Sequence, residues 1–141
     1  MDDVVLAKAA VIERCIGRVR EEHGGDDSHL TDDLRRQDSI ILNLQRACEA
    51  SIDLAMHLVR KERLGIPQDS REAFDLLAGA DMLDPELAAS LKRMVGFRNV
   101  AVHDYTRLDL DIVRAIITQR LGDLGRFASE CIRRHARIDE R

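Results

Sequence analysis

The sequence predicts an all-α fold, a bundle of four main helices with one short helix inserted, and three observations carry that prediction. Apolar residues recur at spacings of three and four almost throughout. No period-two stretch reads as a strand, and only Pro67 and Pro85 interrupt the pattern. Aromatic residues make up 3% of the chain, with one Tyr and no Trp, so Leu, Ile, Val and Ala must fill the core, which suits packed helices. The 141 residues are one domain's worth of sequence, residues 1–141, long enough to bury a core without disulfides or a structural metal.

The first helix is expected from Asp2 or Asp3 to Glu22, with Val4, Val5, Leu6, Val11, Ile12, Cys15, Ile16 and Val19 as its buried stripe. His23-Gly24-Gly25 stops it, and Asp26 to Leu30 reads as a polar connection. Thr31-Asp32-Asp33 then offers an N-cap and negative charge at the start of a long second helix that runs to about Leu64. Gly65-Ile66-Pro67-Gln68-Asp69 breaks the chain, and Ser70 caps a short helix carrying Phe74, Leu76 and Leu77. Asp84-Pro85-Glu86 is the clearest start, because Asp accepts from free backbone N–H groups while Pro at the first helical position loses no hydrogen bond. That helix carries Leu87, Leu91, Met94, Val95 and Val102. A last helix begins near Asp109 and reaches about Arg137, weakened at Gly122 and Gly125 by about 1 kcal/mol each relative to Ala.

Charge and cysteine content narrow the function. Lys plus Arg is 22 against 26 for Asp plus Glu, a net charge of −4, which argues against coating nucleic acid by bulk positive charge but leaves room for a local basic site. The basic residues are nearly all Arg, a bias that a GC-rich genome produces and that also suits phosphate recognition. Cys15, Cys48 and Cys131 are odd in number and far apart, without metal-ligand spacing, and read as reduced, buried thiols of a cytoplasmic protein. MDDVVLAKAA has acidic residues where a signal peptide would be positive, and no apolar run reaches the roughly 20 residues of a membrane span. His23, His29, His57 and His135 show no ligand spacing, so no metal site is assigned. Arg126, Arg133, Arg134 and Arg137 read as a solvated basic face near a helix C-terminus, with a contact to RNA or to an acidic partner surface as the sharper alternative.

One octapeptide says more. From Arg98 to Tyr105 the chain reads Arg-Asn-Val-Ala-Val-His-Asp-Tyr, near a helix end. Arg98 and Tyr105 share a helical face, whereas Arg98 and His103 diverge by about 140° on a regular helix. They converge if the helix bends or ends around His103, or if a second copy supplies the complementary pair across a two-fold axis. Chemically, a neutral His can take the proton of an RNA 2′-hydroxyl, and an Arg can offset the charge that builds on the phosphate. A second His from the partner copy would then protonate the leaving 5′-oxygen, and no metal is required.

MVGFRNVAVHDY resembles the signature of the HepT-like branch of the HEPN superfamily, Arg followed after four to six residues by His. The resemblance extends to Asp38-Ser-Ile-Ile-Leu-Asn-Leu-Gln-Arg-Ala-Cys-Glu49-Ala, Leu-Gly-Ile-Pro, the segment around Phe74, and Leu91-Lys-Arg-Met, so that about Val4 to Cys131 is covered. It implies a four- to five-helix bundle that forms a two-fold homodimer, with Arg98 and His103 of both subunits lining a shared cleft. It further implies the toxin of a bacterial or archaeal toxin–antitoxin pair, a metal-independent endoribonuclease without a cofactor of its own, acting on tRNA or mRNA. The partner would be an MntA-like minimal nucleotidyltransferase antitoxin, which uses ATP to AMPylate Tyr105.

Asn99 is expected as a hydrogen-bonding scaffold for the motif. Asp38 and Glu49 lie about 20° apart in helical projection, with Gln45 on the same stripe; the resemblance places them near the motif, where Glu49 orients Arg98 or His103. The plainer alternatives are a solvated face for Asp38 and Glu49, a simple Glu49–Arg98 salt bridge, and a Tyr105 that only packs at the helix end. For the whole protein the alternatives are a noncatalytic HEPN module that binds nucleotide or serves a nucleotidyltransferase complex, or a dimerisation bundle in which the cluster is coincidence.

Overall fold

Asp2 starts helix α1 (Asp3–His23): its carboxylate accepts from the backbone N–H groups of Val4 and Val5 at 3.0 and 3.2 Å, as an N-cap residue should. The computed structural model describes residues 2–139, with side chains through residue 135, so the expected surface role of Arg137 lies outside the described side chains. The buried stripe of α1 is Val5, Ala9, Ile12, Cys15, Ile16, Val19 and His23. Val4 and Leu6 are 41% and 37% exposed, contrary to expectation, because they fall about 100° to either side of Val5 and leave the narrow face that meets the bundle. Gly24 closes the helix in the left-handed conformation at φ 57°, its N–H donating to the Arg20 carbonyl.

The connection after α1 is not irregular throughout. Ser28–Thr31 forms a single helical turn, α2, that drives Leu30 into the core at full burial. Its entry is held by Asp26, whose carboxylate accepts from both the backbone N–H and the hydroxyl of Ser28. Asp33 caps α3 (Leu34–Lys61), which ends a little before Leu64. Asp69, not Ser70, caps α4 (Ser70–Gly79): its side chain accepts from the Glu72 N–H at 2.9 Å, and Ser70 is the first helical residue. Asp84 caps α5 (Pro85–His103) with Pro85 in the first turn, as expected.

The last helix is the main departure. It comprises α6 (Leu110–Ala115), a π-helical stretch over Ile116–Arg120, and α7 (Leu121–Asp139). The irregularity therefore precedes Gly122 and Gly125. It coincides with Thr118, whose hydroxyl donates to the carbonyl of Arg114 at 3.0 Å and so competes with the regular backbone pattern.

No strand is present among the described residues. α3 runs through the middle of the arrangement: α1, α4 and α5 pack on it, and α7 closes against α1. Leu44, Leu54, Ile40, Ile12 and Leu124 are fully buried, each contributing about 1.5–3 kcal/mol on transfer from water. Phe74 and Phe127 meet edge-on with ring centroids 5.8 Å apart, joining α4 to α7. Cys15, Cys48 and Cys131 are buried and free. No described helix is long and apolar enough to cross a membrane.

Candidate functional site

Helix α5 is anchored by Leu87, Leu91, Met94, Val95 and Ala101, which face the core. Arg98 falls on this same stripe, seven residues after Leu91 and three before Ala101, so a charged side chain occupies a position whose neighbours in register are apolar. It remains 30% exposed. Its Nε lies 3.6 Å from Glu49 Oε1 on α3, beyond hydrogen-bond length, and is buried without a hydrogen-bond partner. One terminal nitrogen donates to the side-chain oxygen of Asn99 at 3.1 Å. Glu49 in turn accepts from Gln45 Nε2 at 3.1 Å. Arg98, Asn99, Glu49 and Gln45 thus form one polar group between two helices.

His103 is the last residue of α5 and is exposed. The helix runs unbroken through it and ends at Asp104, whose N–H donates to the Val100 carbonyl at 2.8 Å. The helix does end at His103, but helical residues run unbroken from Arg98 to His103, and regular helical spacing sets the two side chains about 140° apart. After the helix, Tyr105–Arg107 make one 3₁₀ turn, which returns Tyr105 toward α3. The Tyr105 hydroxyl donates to Asp38 Oδ1 at 2.7 Å, a contact spanning 67 residues of sequence. Burial, followed by the hydrogen bond and negative charge of Asp38, pushes the hydroxyl up to about 12. Tyr105 is still 44% exposed.

Asp38, Ile41, Leu42, Gln45 and Tyr105 line an open hollow of about 450 Å³ beside the motif. Sequence reasoning placed Asp38 and Gln45 on this stripe but did not pair Asp38 with Tyr105; their common face with Glu49 was the available signal. A second hollow of about 450 Å³ lies between α5 and the α6 region, lined by Phe97, Val100, Leu108 and Ile116 together with Arg93 and Arg120, and holds none of Arg98, Asn99, His103 and Tyr105. Among the described residues no group of three or more His, Cys, Asp or Glu stands close enough to hold a metal ion.

The model of one family, ribonuclease HepT-like, matches residues 12–131, from the middle of α1 into α7 and across the whole motif. The chain belongs to the HepT-like ribonuclease family. This HepT-like chain is 49% identical over 127 residues to the mRNA nuclease HepT of Shewanella oneidensis, covering 90% of the present chain and 95% of that protein. It is 36% identical over 66 residues to the tRNA nuclease HepT of Aphanizomenon flos-aquae, covering 47% and 45% of the two chains. Among solved structures it is similar to the tri-AMPylated Shewanella oneidensis HEPN toxin in complex with MNT antitoxin, with a TM-score of 0.86, 48% identity, and coverage of 92% and 97%. The all-α HEPN fold read from the sequence is therefore the fold of the molecule.

Proposed function

We propose that this chain, a single HEPN domain over residues 1–141, is the toxin of a toxin–antitoxin pair and an endoribonuclease acting on tRNA or mRNA. The observation that carries the proposal is the intact Arg98, His103 and Tyr105 set at the end of α5, in a chain so similar along its length to an mRNA nuclease. Two subunits related by a two-fold axis resolve the angular problem, since His103 of one can face Arg98 of the other.

In the proposed reaction a neutral His103 takes the 2′-hydroxyl proton, and the 2′-oxygen attacks the adjacent phosphorus. The second His103 protonates the 5′-oxygen as its bond to phosphorus breaks. Arg98 holds the phosphate and offsets its growing charge, with Asn99 and Glu49 setting the guanidinium plane. None of these steps needs a metal or cofactor, so cleavage is expected to continue in excess chelator. The buried free thiols fit a cytoplasmic setting.

The partner in this reading is an MntA-like nucleotidyltransferase that transfers AMP from ATP onto Tyr105. An adenylyl phosphate near Arg98 would occupy the place of the RNA phosphate. Expression of the chain alone should arrest growth, and Arg98→Ala or His103→Ala should relieve the arrest. Undiminished toxicity of both variants would reject the nuclease site.

A further inference from the structure

The hydrogen bond from Tyr105 to Asp38 assigns a chemical task to α3 that concerns modification of the tyrosine rather than cleavage of RNA. We propose that Asp38 is the proton acceptor for Tyr105 when its hydroxyl takes up an adenylyl group, so that the modified chain supplies the base for its own modification. The inference rests on the reading that Tyr105 is the AMPylated residue.

Three features of the site converge on it. The carboxylate oxygen lies 2.7 Å from the phenolic oxygen, within the distance at which a base can take the proton it accepts. Asp38 has no other side-chain hydrogen bond or ion pair among the described residues, so this carboxylate is not spent on a salt bridge. Tyr105 and Asp38 both line the open hollow with Ile41, Leu42 and Gln45, which leaves room for a nucleoside triphosphate to approach the tyrosine beside its base.

The burial and charge that hold the Tyr105 hydroxyl near 12 make free phenolate scarce at neutral pH. Proton removal must therefore accompany attack. A Tyr105 oxygen lone pair forms the bond to the α-phosphorus of ATP, and the bond from that phosphorus to the bridging oxygen breaks. The electron pair leaves with pyrophosphate, and the phenolic proton passes to Asp38 Oδ1. The product is a tyrosyl–AMP phosphodiester beside a protonated carboxyl, which then releases its proton to water. Once Asp38 is again charged, it stands against the anionic phosphodiester, and the adenylylated side chain is expected to turn from α3 toward the cationic Arg98.

The test is the rate of AMP gain, followed by intact mass, when the purified chain is incubated with its nucleotidyltransferase partner and ATP across a pH series. Asp38→Asn is expected to slow transfer by on the order of 10²-fold. Its remaining rate should climb steadily with pH as hydroxide replaces the lost base, and Asp38→Glu should recover part of the rate. Asp38 is exposed, and circular dichroism of each variant checks that the helices are intact. Modification of Asp38→Asn at the wild-type rate with an unchanged pH profile overturns the proposal. So does a loss confined to weaker partner binding, with the rate in the saturated complex unaltered. Failure of the underlying reading is separable: there, wild type gains no AMP, or Tyr105→Phe gains it equally.

Discussion

Arg98 Nε and Glu49 Oε1 face each other across α5 and α3 at 3.6 Å, close enough for charge attraction and too far for a hydrogen bond. The guanidinium is held near an anion yet keeps a buried donor without a partner. A phosphate oxygen entering from the exposed side would find a cation already oriented. Arg98→Ala is expected to lower the rate of RNA cleavage by about 10²–10³-fold. Arg98→Lys should restore little, because a point ammonium lacks the planar fork. Glu49→Gln should cost no more than about 10²-fold through misplacement of Arg98. Single-turnover cleavage of a labelled RNA separates these outcomes.

Asp2 gives a second prediction. Burial alone would raise its carboxyl, but hydrogen bonds from His57, Lys61 and the Val5 N–H outweigh burial and hold it well below the ordinary carboxylate value of 3.8. A group depressed in the folded state stabilises fully above its unfolded value, and that stability is lost as the pH falls from about 4 toward the folded value. Asp2→Ala removes both the α1 cap and the tie to α3, and should cost about 1.5–3 kcal/mol at neutral pH in urea unfolding. Asp2→Asn, which keeps a cap acceptor, should cost less.

His135 titrates in the opposite sense to a stabilising ion pair. It is 1% exposed on α7, neither ring nitrogen has a hydrogen-bond partner among the described residues, and burial lowers it from 6.5, aided by Lys61 and Arg134 and opposed by Glu62 and Asp2. The unfolded chain therefore binds a proton more readily than the folded one. Stability is unaffected above the unfolded value and falls as the pH drops below about 6.5. Thermal unfolding of His135→Leu between pH 5 and 7.5 should show a flatter profile than wild type. An unchanged slope would place the proton uptake elsewhere.

The thiols provide a third stability readout. Burial is the main cause that pushes Cys48 and Cys131 up to about 12 and raises Cys15. A thiol reagent at pH 8 should label none of the three within minutes in the native protein and all three in denaturant. Fast labelling of one cysteine in the native state would locate a region that opens at low free energy.

The helix starts were legible because capping is local. Asp2, Asp33 and Asp84 each accept from backbone N–H groups two or three residues ahead, and that spacing is written in the chain. The short helix around Leu30 was not legible: its single turn forms around a side chain that reaches the core, and periodicity cannot register in four residues. The π-helical stretch escaped for a related reason. Gly122 and Gly125 carry the visible weakness, whereas the altered pattern accompanies the Thr118 hydroxyl and the Arg114 carbonyl, an interaction with no compositional mark.

By itself the sequence determined the helical class, most of the caps and the presence of Arg98, His103 and Tyr105 in two consecutive turns, since all of these depend on interactions within a few residues. Only the tertiary structure decided which charges meet. Arg98 shares the core-facing register of α5 and is thereby aimed at Glu49, and the 3₁₀ turn after His103 carries Tyr105 back to Asp38. Helical spacing says which residues share a face. The packing of α5 on α3 says what that face meets, because it depends on how two apolar stripes far apart in sequence settle against each other.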